Sequence, residues 1–201
     1  MTVKPLAGAR SPLGGATFGN KDSFRAEEVP FTPGYDLRVE PGTPAFKAVC
    51  EALALELPTT VGTVTRNGAI CLGQPGYDKN ETAGVIALAL GPDWWLLTGT
   101  ADPEALLADV RAQHHMSLVD VSAQRTKLEV YGPQSRAVLE HIWEQDLRDE
   151  SFPVDSCSQG IMAKAPVIVW HCCTDCYCVM VRASFARHLW SALTDAAVEY
   201  V

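Results

Sequence analysis

Charge is scarce in this sequence, and no run of Lys or Arg occurs. Only 20% of the 201 residues are charged, with 24 acidic against 16 basic side chains and a formal net charge of -8. Long-range attraction to phosphate backbones or to an anionic membrane surface is therefore excluded, and we expect neither nucleic acid nor membrane as partner. The first residues, MTVKPLAGARSPLGG, lack the apolar core of a secretory signal, so a cytoplasmic setting is expected. The longest apolar stretch, Gly84–Leu90, is broken by Gly91-Pro92-Asp93 and is far too short to span a bilayer.

Signature loops are missing too. Gly14-Gly15 and Gly91-Pro92 have neither the G-x-G-x-x-G spacing nor the strand-to-helix setting of a dinucleotide loop. No G-x-S-x-G elbow presents a nucleophilic serine. The expectation is a chain with no catalytic residue and no cofactor of its own.

What is present is apolar material: 47% hydrophobic residues and a mean hydropathy of +0.03. That surplus suggests a partner subunit. Residues 1–34 contain nine Gly or Pro and no sustained period, yet carry Leu6, Leu13, Phe18, Phe24, Val29 and Phe31. They read as an extended arm laid on a surface, with Leu13, Phe18, Phe24 and Phe31 as subunit contacts.

Residues 35–201 read as a single compact α+β domain, with two pseudo-repeated halves as a possible subdivision. A strand, a turn, a proline and an amphipathic helix recur three times. Tyr35, Leu37 and Val39 alternate, Thr43 caps, Pro44 opens a helix, and Phe46, Val49, Cys50 and Leu53 share its inner face. Asp102 and Pro103 begin the second helix, with Leu106 and Val110 inward. Leu128 and Val130 precede the third, whose stripe is Val138, Leu139, Ile142 and Trp143. Further strands are expected at Ala69–Leu72, Val85–Leu90, Trp94–Thr98 and Ser117–Val121. A meander over 161–181 and a last helix capped by Ser184 complete about four helices on mixed, mostly antiparallel sheet.

Candidate polar sites are few. His114-His115 falls at a helix end, where imidazoles meet the last carbonyls. His141 and His188 read as surface residues. In DVSAQRT, Asp120, Ser122, Gln124 and Arg125 suit turn chemistry, and Arg125 beside Asp120 either pairs within its own chain or offers its donors to a partner subunit.

The cysteines remain. WHCCTDCYCVM, 170–180, holds five of the possible soft-metal ligands in eight residues. If Cys173 pairs with Cys176 across a hairpin, His171 opposes Cys178 and all four share one face. Two such pairs form a flat rectangle of roughly 5 by 7 Å that must buckle to enclose one ion. Against zinc stands a hairpin with apolar flanks, VIVW and VMV, in which thiols pack as small hydrophobes. A thioredoxin-like site would put CxxC at a helix start, and here strand pattern follows. The covered hairpin is the favoured reading, with His171, Cys173, Cys176 and Cys178 as the metal alternative.

Three stretches resemble the gamma subunit of heterotetrameric sarcosine oxidase: LGPDWWLLTG (90–99), SLVDVSAQRTKLEVYGPQSRAVLE (117–140) and FPVDSCSQGIMAKAPVIVW (152–170). VRASFARHLWSALTDAAVEY (181–200) and the early SPLGG fit as well, while HCCTDCYC departs from the polar turn expected there. The resemblance implies part of the aminomethyltransferase (glycine-cleavage T-protein) folate-binding fold. It also implies a non-catalytic subunit of a bacterial complex that demethylates sarcosine or a similar N-methyl amine. Alpha, beta and delta subunits are the implied partners, and FAD, FMN, NAD and tetrahydrofolate are the implied cofactors, held on the larger chains. A stand-alone folate-binding or aminomethyl-transferring protein would share the fold, and a small zinc module is the third reading.

Overall fold

The computed structural model describes residues 10–67 and 84–201. The expected strand Ala69–Leu72 and Leu6 of the expected arm lie outside them. Strands β1 (Thr17–Gly19), β2 (Arg25–Val29) and β3 (Gly34–Arg38) lead into helix α1 (Pro44–Leu53). Then come β4 (Val64–Arg66), β5 (Val85–Gly91), β6 (Trp94–Gly99), α2 (Pro103–Gln113), β7 (Ser117–Asp120) and β8 (Arg125–Tyr131). Helix α3 (Ser135–Glu140), β9 (Cys157–Met162), β10 (Ala165–Cys173), β11 (Cys176–Arg182) and α4 (Ala186–Ala196) complete the order.

These elements divide into two compact units, the second of which also takes in residues 10–31. The first contains residues 32–67 and 84–122 and has a five-stranded sheet of order β4-β5-β6-β3-β7. The second joins residues 10–31 to 123–201 through a six-stranded sheet of order β1-β2-β8-β11-β10-β9. Every described pairing is antiparallel. With four α-helices among the described residues this is the expected α+β class, in its antiparallel form.

In the first unit, Thr43 caps α1 by accepting the Phe46 N–H at 3.2 Å, and Pro44 fills the first turn where no N–H partner is needed. Val49 and Leu53 bury against Leu37, Trp95 and Leu97 of the sheet. Helix α2 differs from expectation by one position. Leu107 is fully buried, while Leu106 is exposed and Val110 only partly buried. Asp102 caps as expected, accepting from the N–H groups of Glu104 and Ala105.

The second unit holds the main correction. The segment expected as an arm is, from residue 17 to 29, two strands of the sheet. Residues Arg25–Val29 pair with β8, from Arg25↔Tyr131 to Val29↔Lys127. Phe24 and Ala26 are completely buried with Leu128, Val130, Val169 and Val179. Charged residues mask this strand: RAEEV alternates in burial but not in polarity, because its inward Glu28 is a carboxylate. Helices α3 and α4 cover the same core through Val138, Leu139, Leu189 and Leu193. Ser184 is not the cap of the last helix. It sits in a 3-10 turn, Ala183–Phe185, that precedes α4, and Phe185 is exposed.

Gly132 turns the chain from β8 toward α3 with φ +115, a region L side chains rarely adopt. A Cβ there would lie 2.5 Å from the Ser23 carbonyl oxygen, which accepts the Gln134 N–H at 3.0 Å. Gly132→Ala is expected to destabilise the second unit by about 3 kcal/mol, from strain plus displacement of a buried backbone contact. Chemical denaturation followed by circular dichroism measures it, and an unchanged midpoint would refute the account.

Candidate functional site

The β10–β11 hairpin gathers most of the chemistry-bearing side chains. Its register runs from Val167↔Val181 to Trp170↔Cys178 and His171↔Tyr177, then shifts, and closes at Cys173↔Cys176. Cys172 is the extra residue of the resulting bulge. His171 therefore opposes Tyr177 and not Cys178, which removes the flat four-residue face expected from regular pairing. A bulge adds one residue to one strand, so every position before it slips relative to its partner.

The slip sorts the ligand types onto different sides. His171 stacks with Tyr177 at 4.6 Å and with Phe152 at 5.9 Å between ring centroids, and Nδ1 lies 2.8 Å from the Phe152 carbonyl oxygen. That contact makes Nδ1 the protonated nitrogen, because a carbonyl only accepts. Nε2 is buried without a hydrogen-bond partner among the described residues. Cys172 turns toward the other sulfurs: its Sγ lies 3.2 Å from Cys176 Sγ and 3.6 Å from Cys178 Sγ. The sulfurs of Cys172, Cys173 and Cys176 all fall within 4.8 Å of one another. The six described cysteines form no disulfide.

The hairpin tip is anchored. Asp175, with φ +54, completes the turn, and its carbonyl accepts from the Gly132 N–H and the Ser135 hydroxyl, both at 3.0 Å. Behind His171, burial pushes the Tyr177 phenol up, and the Arg136 guanidinium, itself ion-paired with Asp149, pulls it back down. Burial alone pushes the Cys157 thiol up to about 12, and burial likewise raises Cys50. Neither is a nucleophile at neutral pH.

The remaining candidates make local contacts. His114 closes α2, its N–H donating to the Val110 carbonyl at 2.9 Å. His114 and His115 border a cavity of about 860 Å³ together with Arg38, Asp93 and Ser117. There Arg38 pairs with Asp93 at 2.9 Å and lies over Trp94 at 4.7 Å. An ion pair this exposed contributes little. His141 meets the Tyr200 hydroxyl and His188 the Ala163 carbonyl, both on exposed helix faces. Asp120 accepts the Ser122 N–H at 2.8 Å, and Ser122 bonds the Gly34 backbone, so DVSAQR begins with an Asx-type turn. Arg125 starts β8 opposite Arg182.

Of the expected subunit contacts, Phe24 is in the core and presents nothing to a partner. Leu13 and Phe18 pack on that core from its margin. Phe31 is 44% exposed, and Asp120 is exposed.

Glu28 is the residue sequence reasoning missed. Its carboxylate, almost fully buried, accepts the Leu13 N–H at 3.3 Å, the Gly15 N–H at 2.8 Å and the Thr126 hydroxyl at 2.7 Å. Burial pushes its pKa up, but the hydroxyls of Ser11 and Thr126 and the two backbone N–H groups outweigh it and hold the group below 4.5. No local signal marks it: an acidic residue in a polar-looking stretch reads as surface.

Comparison with known proteins places this geometry. A model of the sarcosine oxidase gamma subunit family matches residues 38–199. Sarcosine oxidase subunit gamma of Corynebacterium sp. strain U-96 is 28% identical over 198 residues, covering 98% of this chain and 90% of that protein. The same subunit from Corynebacterium sp. strain P-1 is 29% identical over 188 residues, covering 92% and 84%. Among solved structures, a chain of the heterotetrameric sarcosine oxidase from Corynebacterium sp. U-96, in complex with pyrrole 2-carboxylate, aligns with a TM-score of 0.78. It is 29% identical, and the match covers 95% of each chain. The aminomethyltransferase T of the glycine cleavage system from Bartonella henselae aligns at TM-score 0.60 over 92% of this chain and 56% of that one. At 12% identity that likeness concerns the fold alone. By family match, length and fold, this chain belongs to the sarcosine oxidase gamma subunit family, as a subunit of an oxidoreductase complex.

Proposed function

We propose that this chain is a non-catalytic subunit of a bacterial cytoplasmic complex that oxidatively demethylates sarcosine or a similar N-methyl amine. Its partners are alpha, beta and delta chains. FAD, FMN, NAD and tetrahydrofolate sit on the larger subunits, and the folate accepts the one-carbon unit. The observation that carries this reading is the 95% mutual coverage with a chain of a heterotetrameric sarcosine oxidase. The hairpin supports it: the best-assembled polar side chains, His171 and Tyr177, are buried in stacking and are not presented to a substrate. Leu13, Phe18, Phe31, Asp120 and Arg125 are proposed as contacts to the partner chains, and the buried Phe24 is not among them.

The purified chain alone is expected to be colourless and to oxidise no amine, while co-expression with its partner chains yields a flavin-containing complex. Absorbance spectra of both preparations check this. Stoichiometric flavin on the isolated chain refutes the assignment. The chain spans about half of the aminomethyltransferase it aligns with. Calorimetric titration of the isolated chain with tetrahydrofolate separates a stand-alone folate binder, and no heat of binding is expected.

A further inference from the structure

The Cys172 bulge does more than shift a register. In a regular strand, Cys172 and Cys173 would point to opposite faces of the sheet. Here their sulfurs converge with that of Cys176 to within 4.8 Å. Cys178 adds a fourth sulfur, 3.6 Å from Cys172 Sγ. A hairpin that needed cysteine only as small apolar filling gains nothing from turning two successive thiols to one point, and a bulge interrupts the ladder. Bulges serve to re-aim side chains. The buckle that a flat four-residue rectangle lacks is thus built into the backbone.

We propose that Cys172, Cys173 and Cys176, with Cys178 as fourth donor, form a thiolate site for a zinc ion. Tetrahedral zinc with Zn–S bonds of about 2.3 Å sets its sulfurs about 3.8 Å apart. The separations of 3.2 Å to Cys176 and 3.6 Å to Cys178 from Cys172 lie near that spacing, while Cys178, outside the trio that falls within 4.8 Å, turns inward on binding to complete the tetrahedron. All-sulfur donor sets suit zinc and other soft cations over magnesium or calcium. His171 is not a ligand, since it faces Phe152 and Tyr177. Cys173, 7% exposed beside the Thr174-Asp175 turn, is the side from which the ion enters. Each ligating thiol releases its proton to solvent on binding and no electron is transferred, so uptake weakens as pH falls. The site does not depend on the proposed assembly or on flavin chemistry.

The test uses the full chain, purified with its thiols reduced. Titration with Co2+ is expected to give thiolate-to-metal charge-transfer absorption that saturates at one ion per chain and is displaced by Zn2+. Cys172→Ser and Cys173→Ser are each expected to lose the saturating band, while Cys50→Ser, on α1, keeps it. Should Cys172→Ser fail to fold, Cys173→Ser and the wild-type titration decide the matter. No band from a wild-type chain whose thiols all react once unfolded overturns the proposal. So does a native Cys172–Cys176 disulfide found by mass spectrometry, or a band that survives both serine variants.

Discussion

Deletion of residues 1–31 is expected to unfold the second unit outright, and not merely to detach a docking segment. The deletion removes β1 and β2, exposes the long edge of β8, and empties the space of Phe24 and Ala26, both completely buried. Losing one buried Phe side chain typically costs about 3–5 kcal/mol. Whole-domain stabilities are about 5–15 kcal/mol, so the further loss of a central strand pairing exhausts what remains. The truncated chain is expected to lose hydrogen-exchange protection throughout β8–β11 while the 32–122 unit keeps its own. Full protection of β8 and β11 in the truncated chain would show that the amino-terminal strands are dispensable.

Glu28→Ala is expected to destabilise the same unit from a single side chain. It leaves the Leu13 N–H, the Gly15 N–H and the Thr126 hydroxyl without their shared acceptor. The Thr126 hydroxyl is a buried donor and its loss of a charged partner costs about 1–3 kcal/mol, whereas water can replace the acceptor at the partly buried Leu13 and Gly15 amides, so a total of about 2–3 kcal/mol is expected. The pH dependence has a fixed sign. The folded-state pKa lies below the ordinary 4.5, so the stabilisation is complete above that value and is lost as pH falls through the depressed one. Acid titration of stability is expected to be shallower in Glu28→Gln than in the parent chain. Equal slopes below pH 4.5 would mean that Glu28 contributes no such term.

Much of the first unit was legible because each signal there is local. Thr43 with Pro44 and Asp102 with Pro103 specify helix starts within four residues, and Val85–Gly91 against Trp94–Gly99 is a hairpin joined by a two-residue turn. The second unit was less so. Its strand β2 turns Glu28 inward, where hydrogen bonds from Leu13, Gly15 and Thr126, before and far after it in the chain, hold the carboxylate. The hairpin was expected within the meander over 161–181 and is found at Ala165–Cys173 and Cys176–Arg182, but its bulge was not foreseen, because nothing in HCCTDCYC distinguishes a register with an extra residue from one without. That single residue decides which ligands meet. The grouping of Cys172, Cys173 and Cys176 was thus half visible: the cysteines could be read off, their company could not.

The strand order of the six-stranded sheet also sets a sequence of events in time. The Glu28–Thr126 and Glu27–Tyr131 contacts join residues 98 and 104 positions apart. On a ribosome, β2 emerges long before β8 exists to receive it, whereas all the material of the 32–122 unit is available earlier. That unit is free to form first, shortening the loop that the later closure must gather and lowering its entropic cost. Meanwhile β2 waits as an open strand edge, and its charged residues, Arg25, Glu27 and Glu28, serve the nascent chain by discouraging pairing with a neighbour.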